Sequence, residues 1–488
     1  MTDARPDGPA AGSDTDAEAR PVDPRRTRPG RRFLLVLAAI AMVGFGVRAA
    51  ALATATECRQ PSRTDLSAAL SGAVPEPGDC VVITDAPVYR EQAIENADGH
   101  WFQTAELDET GRRQPSALHP PLYATFLTAF TLVGVEDFDA LRALASTLGI
   151  ATVAVSGLFA RRLAGDRVGL IAAGLVALHP MVWINDVVLM SESLYALFVP
   201  LLAWAGLRFW ERRDATSAAL LGATIGLAAL TRSEAILLVG VVGLPLVLGP
   251  LRRWTAARWR QLGALVLAAL VVVAPWVGAN MVRFHEPTAF TTTAGFSLVF
   301  ANCDAVYEPG PRLGARSPEC LQGARTEYQF QADDDQSDVD AYLFGSAVDT
   351  ITSRPLDAAR AGLARVGRMW GVYRPFETIR AEEYLERRGV GRSELAVVVG
   401  WEVMAAGAWG AWLLRRRGLP ISPLVGWVVT STVVAFINLG LHRFRASSDV
   451  ALCILAAVAI DELVRWWTGE RSPAPPGGRD RSTAPADP

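Results

Sequence analysis

Apolar stretches recur along this chain at a length that few folds can use. Eleven of them, at roughly 33–55, 119–134, 140–160, 168–185, 187–210, 216–231, 234–249, 260–281, 393–414, 419–440 and 449–468, approach what a helix needs to cross hydrocarbon. A crossing takes ~20 helical residues for a core ~30 Å thick. A soluble domain has no interior large enough for so many, so the pattern predicts an all-α polytopic membrane bundle of about eleven spans. Composition agrees: 51% of residues are hydrophobic against 20% charged, too oily for an ordinary soluble enzyme. The net charge of −3 leaves no basic excess for a phosphate backbone, which excludes nucleic acid as a partner.

The stretches divide the chain. Residues 1–32 form a disordered cytoplasmic tail, rich in Pro, Gly, Asp and Arg without an apolar period. Residues 33–281 form a transmembrane module that includes a long loop at 56–118; a second long loop region covers 282–392; the last spans occupy 393–468; and 469–488 is a second cytoplasmic tail. Arg20, Arg25, Arg26, Arg28, Arg31 and Arg32 precede the first span, and the positive-inside rule keeps that end in the cytoplasm. Arg161-Arg162, Arg212-Arg213, Arg252 to Arg260 and Arg415 to Arg417 mark further cytoplasmic turns, so both long loops fall outside. Parity then conflicts. If 119–134 and 140–160 both cross, Arg161-Arg162 lands on the wrong side.

Cysteine usage supports the outward loops. Cys58 and Cys80 lie in the first, Cys303 and Cys320 in the second, and Cys453 lies within a span. Two in-loop pairs in an oxidising compartment suggest disulfides Cys58–Cys80 and Cys303–Cys320. Zinc is the rival for four cysteines, but no paired C-x-x-C is present.

The chemistry-bearing residues sit where spans meet the loops. The first loop holds Thr84-Asp85-Ala86-Pro87-Val88-Tyr89 and ends in His119-Pro120-Pro121-Leu122-Tyr123. Ser191-Glu192-Ser193-Leu194-Tyr195, Leu230-Thr231-Arg232-Ser233-Glu234 and Arg443-Phe444-Arg445 follow at other span ends. This series resembles the GT-C superfamily of membrane glycosyltransferases, in particular glycosyltransferase family 39, the protein mannosyltransferase type, and the aminoarabinose-transferase-like enzymes. Those families share an acidic residue early in the first outer loop and an (H/K)-P-P-L start to the next span. The resemblance covers roughly 33–300 and the final two spans.

The resemblance implies transfer of a hexose or pentose from a polyprenyl-phosphate-linked sugar to a glycan, lipid or protein acceptor outside the cell membrane. Asp85 becomes the expected general base, taking the acceptor's hydroxyl proton; read alone, it is first of all a helix-capping aspartate. Glu192 is the second expected catalytic acid, orienting the acceptor, with Asp186 beside it at the same membrane surface. Tyr89 and His119 join the expected substrate site. Arg48, Arg232, Arg443 and Arg445 oppose the positive-inside bias, and a guanidinium fork fits a leaving phosphate; snorkelling to lipid headgroups is the alternative for each.

No Gly-rich phosphate cradle and no histidine pair at ligand spacing is present, so no metal site and no cofactor is expected, with divalent-metal dependence left open. Asp333-Asp334-Asp335 and Asp338-Val339-Asp340 read as a solvated loop face. A transporter or lipid-carrier flippase is the competing class, and it lacks support because the two halves show no internal repeat.

Overall fold

The computed structural model describes residues 28–54, 85–107, 111–249, 255–331, 333–386 and 388–470. Cys58 and Cys80 lie outside the described residues, as do most of both tails; Arg31 and Arg32 are already helical.

The first span is α1 (Arg31–Ala53), 23 residues, which at 1.5 Å per residue is ~35 Å long. The loop after it carries α2 (Asp85–Ala97) and a short hairpin, β1 (Gln103–Leu107) against β2 (Arg113–Pro115), antiparallel. Next come α3 (Pro121–Thr131), α4 (Phe138–Ala164), α5 (Asp166–Leu178), α6 (Pro180–Asp186), α7 (Glu192–Arg212) and α8 (Ala215–Ala229).

The expected span at 119–134 is corrected here. Pro121 starts α3 and Gly134, with φ +86°, stands in the turn beyond it. Its 11 residues reach only ~16 Å. This removes the parity conflict. A guanidinium–ring contact of 5.4 Å joins Arg161 to Phe33, and Arg161 Nη2 donates to the Arg28 carbonyl at 3.5 Å, so the end of α4 lies beside the start of α1.

Among the described residues, five helices are long and apolar enough to cross a membrane: α1, α4, α7, α9 (Ala256–Arg283) and α10 (Val390–Arg416). The pair α5 and α6 qualifies as one span bent by 58° at Pro180. The ring of Pro180 cannot continue the hydrogen-bond ladder, and it starts a new helix instead. The stretch Ser233–Leu248 is shorter and irregular, passing from 3₁₀ to π to α geometry. The last two helices of the bundle are α11 (Ser422–Ile437) and α12 (Ala446–Thr468), joined by a 3₁₀ turn at His442–Arg445.

Helix α12 is the centre of the bundle, with nearly every residue from Ala446 to Ala459 buried. Small residues set its approach to α10: a Cβ added at Gly410 would overlap the Leu455 carbonyl, and one at Gly407 would stand 2.9 Å from Leu452. Between lipid-embedded helices such packing replaces the hydrophobic drive that water would supply. Trp412, Trp466 and Trp467 stay exposed at the end of the bundle opposite α2, as aromatic side chains do at a headgroup layer. The protein is a multi-pass membrane protein.

The 282–392 region is also corrected, because it is a packed helical layer rather than a solvated loop. Six helices, at Ala294–Val299, Asp304–Tyr307, Pro318–Glu327, Gln336–Ser353, Pro355–Met369 and Pro375–Glu386, surround a core of Leu298, Val306, Tyr307, Leu321, Leu343, Ala347 and Ala361. The acidic run within it is structural. Asp335 caps Gln336–Ser353 in a capping box with Asp338, and Asp340 accepts from the Gly295 and Phe296 amides at 2.8 and 3.1 Å. Cys303 and Cys320 are joined by a disulfide with Cα atoms 5.5 Å apart.

Candidate active site

Three strands of chain meet at the α2 end of the bundle, and ordinary helix chemistry fixes each one. Helix α2 packs its Ala86, Tyr89, Ala93 and Asn96 face inward. Asn96 donates to Thr128 Oγ1 at 3.1 Å, and Thr131 Oγ1 donates to the Ala93 carbonyl at 3.0 Å, so α2 lies against α3. Asp85 and Tyr89, one turn apart, therefore face the start of α3, where His119 stands. The first free amide of α3, Leu122 N–H, donates to the Leu230 carbonyl at 2.9 Å, which satisfies an orphan helix-end donor. It also pins the HPPL segment beside Thr231-Arg232. Arg283 donates to the Phe102 and Ser116 carbonyls at 3.1 and 3.0 Å, holding the chain ahead of His119.

These elements line a cavity of about 540 Å³. Asp85 accepts from Arg443 Nη2 at 2.9 Å, and its other oxygen lies 4.0 Å from His119 Nε2. His119 stacks on Tyr89 with centroids 4.4 Å apart, and Tyr89 meets Tyr123 edge-on. Arg443 Nε lies 3.3 Å from Glu386 and 3.6 Å from Glu192. Arg232 reaches Glu192 at 2.8 Å and Glu234 at 2.6 Å, beneath the Phe444 ring. A continuous relay of alternating charges thus runs from Asp85 through Arg443, Glu192 and Arg232 to Glu234.

Electrostatics follows from this enclosure. Burial alone would raise the Asp85 carboxyl, but Arg443, with His119 and Arg316, holds it well below the usual carboxylate range. Burial pushes the His119 imidazole below its ordinary value against the pull of Asp85. Burial raises Glu386 despite Arg443 and Arg388. At neutral pH the cavity therefore presents an ionised Asp85.

Asp85, Tyr89, His119, Arg232 and Arg443 share this cavity lining. Glu192 lies just behind it, buried, and holds two of the arginines. Arg445, Arg48 and Asp186 are not brought to it. Arg445 is fully buried, with its Nε and Nη2 3.0 Å from the Asp449 carboxylate. In a 3₁₀ turn of three residues per revolution, positions 443 and 445 point to different sides. Arg48 Nε donates to Asp186 at 2.8 Å, and both side chains are 1% exposed between α1 and α6.

Sequence reasoning missed Arg316, Glu382 and Glu386. Glu382 accepts from the His442 amide at 2.9 Å and lies 3.2 Å from its ring nitrogen, bracing the turn that carries Arg443. The four-residue spacing of the two glutamates is the signal that places them on one helical face. Arg316 gave no motif. Elsewhere, His285, Asp335 and Asp338 hold potential ligand atoms within 4.8 Å of one another, but both carboxylates already serve the capping box.

The far wall of the cavity is apolar: Phe344, Val348 and Ile351 on one side, Val434 and Ile437 on the other. Phe344 and Ile437 are about half exposed, at 48% and 53%. The lining therefore combines a charged group of side chains with an apolar group, and two of the apolar ones are about half exposed.

Residues 118–278 match the family model described as dolichyl-phosphate-mannose-protein mannosyltransferase. No curated protein matches the chain by sequence. Among solved structures, the archaeal oligosaccharyltransferase AglB from Archaeoglobus fulgidus, in complex with an inhibitory peptide and a dolichol-phosphate, shares 12% identity at a TM-score of 0.50, over 91% of this chain and 53% of that one. ArnT from Cupriavidus metallidurans bound to undecaprenyl phosphate shares 16% identity at a TM-score of 0.37, over 89% and 79%. The chain spans about half the length of the archaeal enzyme. The chain shares the fold of that archaeal enzyme, and its match to the mannosyltransferase family model begins one residue before His119.

Proposed function

We propose that the chain transfers a sugar from a polyprenyl-phosphate donor to a hydroxyl acceptor, with Asp85 as general base. The observation that carries this is the mixed lining of the cavity. Its apolar wall, Phe344, Val348, Ile351, Val434 and Ile437, suits an isoprenoid tail, and its charged group, Asp85, Arg232, Arg316 and Arg443, suits a sugar phosphate. A nucleotide sugar has no use for such a wall. The family model's description and the dolichol-phosphate bound to the archaeal structural relative support the same donor class.

In this reading the acceptor oxygen attacks the anomeric carbon, the bond from that carbon to the phosphate oxygen breaks, and the phosphate leaves with the electron pair. Asp85 takes the acceptor's proton. A carboxylate held this low is a weak base while Arg443 is bonded to it. A phosphate that draws Arg443 toward itself raises the basicity of Asp85 when the donor is in place, which ties proton removal to donor binding. Arg232, Arg443 and Arg316 offset charge as it develops on the leaving phosphate.

The Arg161 end of the bundle faces the cytoplasm with both termini, and the cavity opens outside, because the basic clusters gather at that end. The described helical layer of 282–392 covers the cavity from the outside, and Cys58 and Cys80 are proposed to pair in the same compartment. Comparing envelope glycans with and without the gene tests the function, because the missing sugar names the donor. Purified protein in liposomes then has to transfer that sugar from its polyprenyl phosphate and not from a nucleotide. Efficient transfer from a nucleotide sugar overturns the reading.

A further inference from the structure

Of the three cavity arginines, Arg316 lacks a carboxylate of its own. Arg232 is bonded to Glu192 and Glu234, and Arg443 to Asp85 with Glu386 close by. Among the described residues Arg316 makes neither a hydrogen bond nor an ion pair. Its contact is the Phe300 ring, with the guanidinium carbon 4.8 Å from the centroid, and its Nε is buried without a partner. Asp85 and Glu386 act on it through space, yet no carboxylate comes within bonding distance, and a partly buried guanidinium with an unbonded Nε has donors to offer. A chain that keeps one in a cavity has left a place for an anion.

The backbone around Arg316 is fixed on both sides. The Cys303–Cys320 disulfide closes the segment that contains it, over a separation of 17 positions. Two residues before Arg316, Gly314 adopts φ +65°, where a Cβ would stand 2.7 Å from the Ala361 carbonyl. That close approach seats the segment on helix Pro355–Met369. Arg316 also lines a second, smaller chamber of about 270 Å³ with Gly314, Pro318, Thr378, Glu382 and Leu441. It therefore stands in the partition between two spaces, positioned by its stapled segment and by the Phe300 ring.

We infer that Arg316 is the receptor for the donor's phosphate, and that the Cys303–Cys320 bond is the device that keeps it in the cavity. Affinity for a lipid phosphate then follows the oxidation state of that pair. This deepens the proposed function and rests on it. Arg232 and Arg443, already compensated, act on the reacting end instead of anchoring the donor.

The test uses the full chain in nanodiscs and measures binding of undecaprenyl phosphate, with undecaprenol and inorganic phosphate as separate probes. Wild-type protein should bind undecaprenyl phosphate well above either of the others. Arg316→Ala should weaken that binding about 10- to 100-fold, the scale of a lost charge-assisted hydrogen bond, and Arg316→Lys should recover part of it. Thiol reduction of folded wild-type protein, or Cys303→Ser with Cys320→Ser, should weaken it about 10-fold by the same relation. Adding Arg316→Ala to the cysteine variant should then cost little more.

Melting temperatures without ligand separate these effects from unfolding, and Arg316→Gln replaces any Ala variant that does not fold. Wild-type affinity in both Arg316→Ala and Arg316→Gln overturns the receptor assignment and leaves the proposed function standing. Losses that multiply in the combined variant overturn the role of the disulfide. Inorganic phosphate bound as tightly as the lipid overturns the lipid source of the anion. Failure of wild-type protein to bind undecaprenyl phosphate at all overturns the proposed donor, and this inference with it.

Discussion

Asp85→Asn should abolish transfer while leaving the protein folded, and the geometry says why the two effects separate. Removing a general base typically lowers a rate ~100- to 10,000-fold. The stability cost depends on what Arg443 keeps. With Asp85 neutral it loses a charge partner at 2.9 Å, yet Glu386 and Glu192 remain within 3.3 and 3.6 Å. No buried charge is orphaned. The Asp85 side chain is itself 34% exposed, so the lost pair costs no more than ~1 kcal/mol. Arg443→Ala is the contrasting case, because it strips Glu386, only 4% exposed, of its nearest cation, leaves it Arg388 alone at 3.6 Å, and unpairs Asp85 as well. Breaking a buried pair from one side costs ~3–5 kcal/mol. Measuring initial rates of sugar transfer beside thermal unfolding in the same detergent should therefore find Asp85→Asn inactive with a near-normal melting temperature, and Arg443→Ala inactive and markedly less stable. Normal turnover by folded Asp85→Asn would refute the base assignment. Equal destabilisation by the two changes would refute the three-carboxylate account of Arg443.

Other outcomes follow from the same contacts. Arg445→Ala should destabilise by ~3–5 kcal/mol in denaturant titration, with Arg445→Leu plus Asp449→Leu recovering most of the loss, since the pair is wholly buried. Gly410→Ala, whose Cβ overlaps the Leu455 carbonyl, should cost ~1–3 kcal/mol. Gly391→Ala in the same helix meets nothing within 4 Å and should be neutral or stabilise by ~0.5–1 kcal/mol in the same titration. The Asp85 carboxyl is depressed, so its ionised form is already complete above the ordinary aspartate value of ~4 and is lost only as pH falls through a lower one. Transfer should therefore show no Asp85-dependent change from pH ~8 to ~6; a limb near neutrality that Asp85→Glu displaces would contradict this.

The sequence was informative where a residue's neighbours in the chain define its surroundings. Prolines at 120 and 121 both open a helix and mark the site, so His119 and Asp85 were legible together. The same reasoning overreached for arginines. An outward Arg in an apolar chain signals that something compensates it, and nothing local says whether that is a ligand or a partner. For Arg445 the partner, Asp449, stood four residues away in plain view. For Arg48 it is Asp186, 138 positions on, and no periodicity connects them. Arg316 was missed for the opposite reason. Its surroundings come from a disulfide, a close backbone approach and the helical layer, which the absence of a long apolar stretch had made look like a loop.

The Arg48–Asp186 pair has a bearing on how the protein is made. An unpaired arginine within a span is costly, and α1 is translated before its counter-charge. At ~5–20 residues per second the 138 intervening positions take roughly 7–28 s to synthesise. During that interval Arg48, close to the end of α1, has only the headgroup layer to turn to. The bond that ties α1 to α6 can form only once Asp186 has followed. Assembly of the bundle acquires an order, with the bent fifth and sixth helices setting the position of a segment translated first.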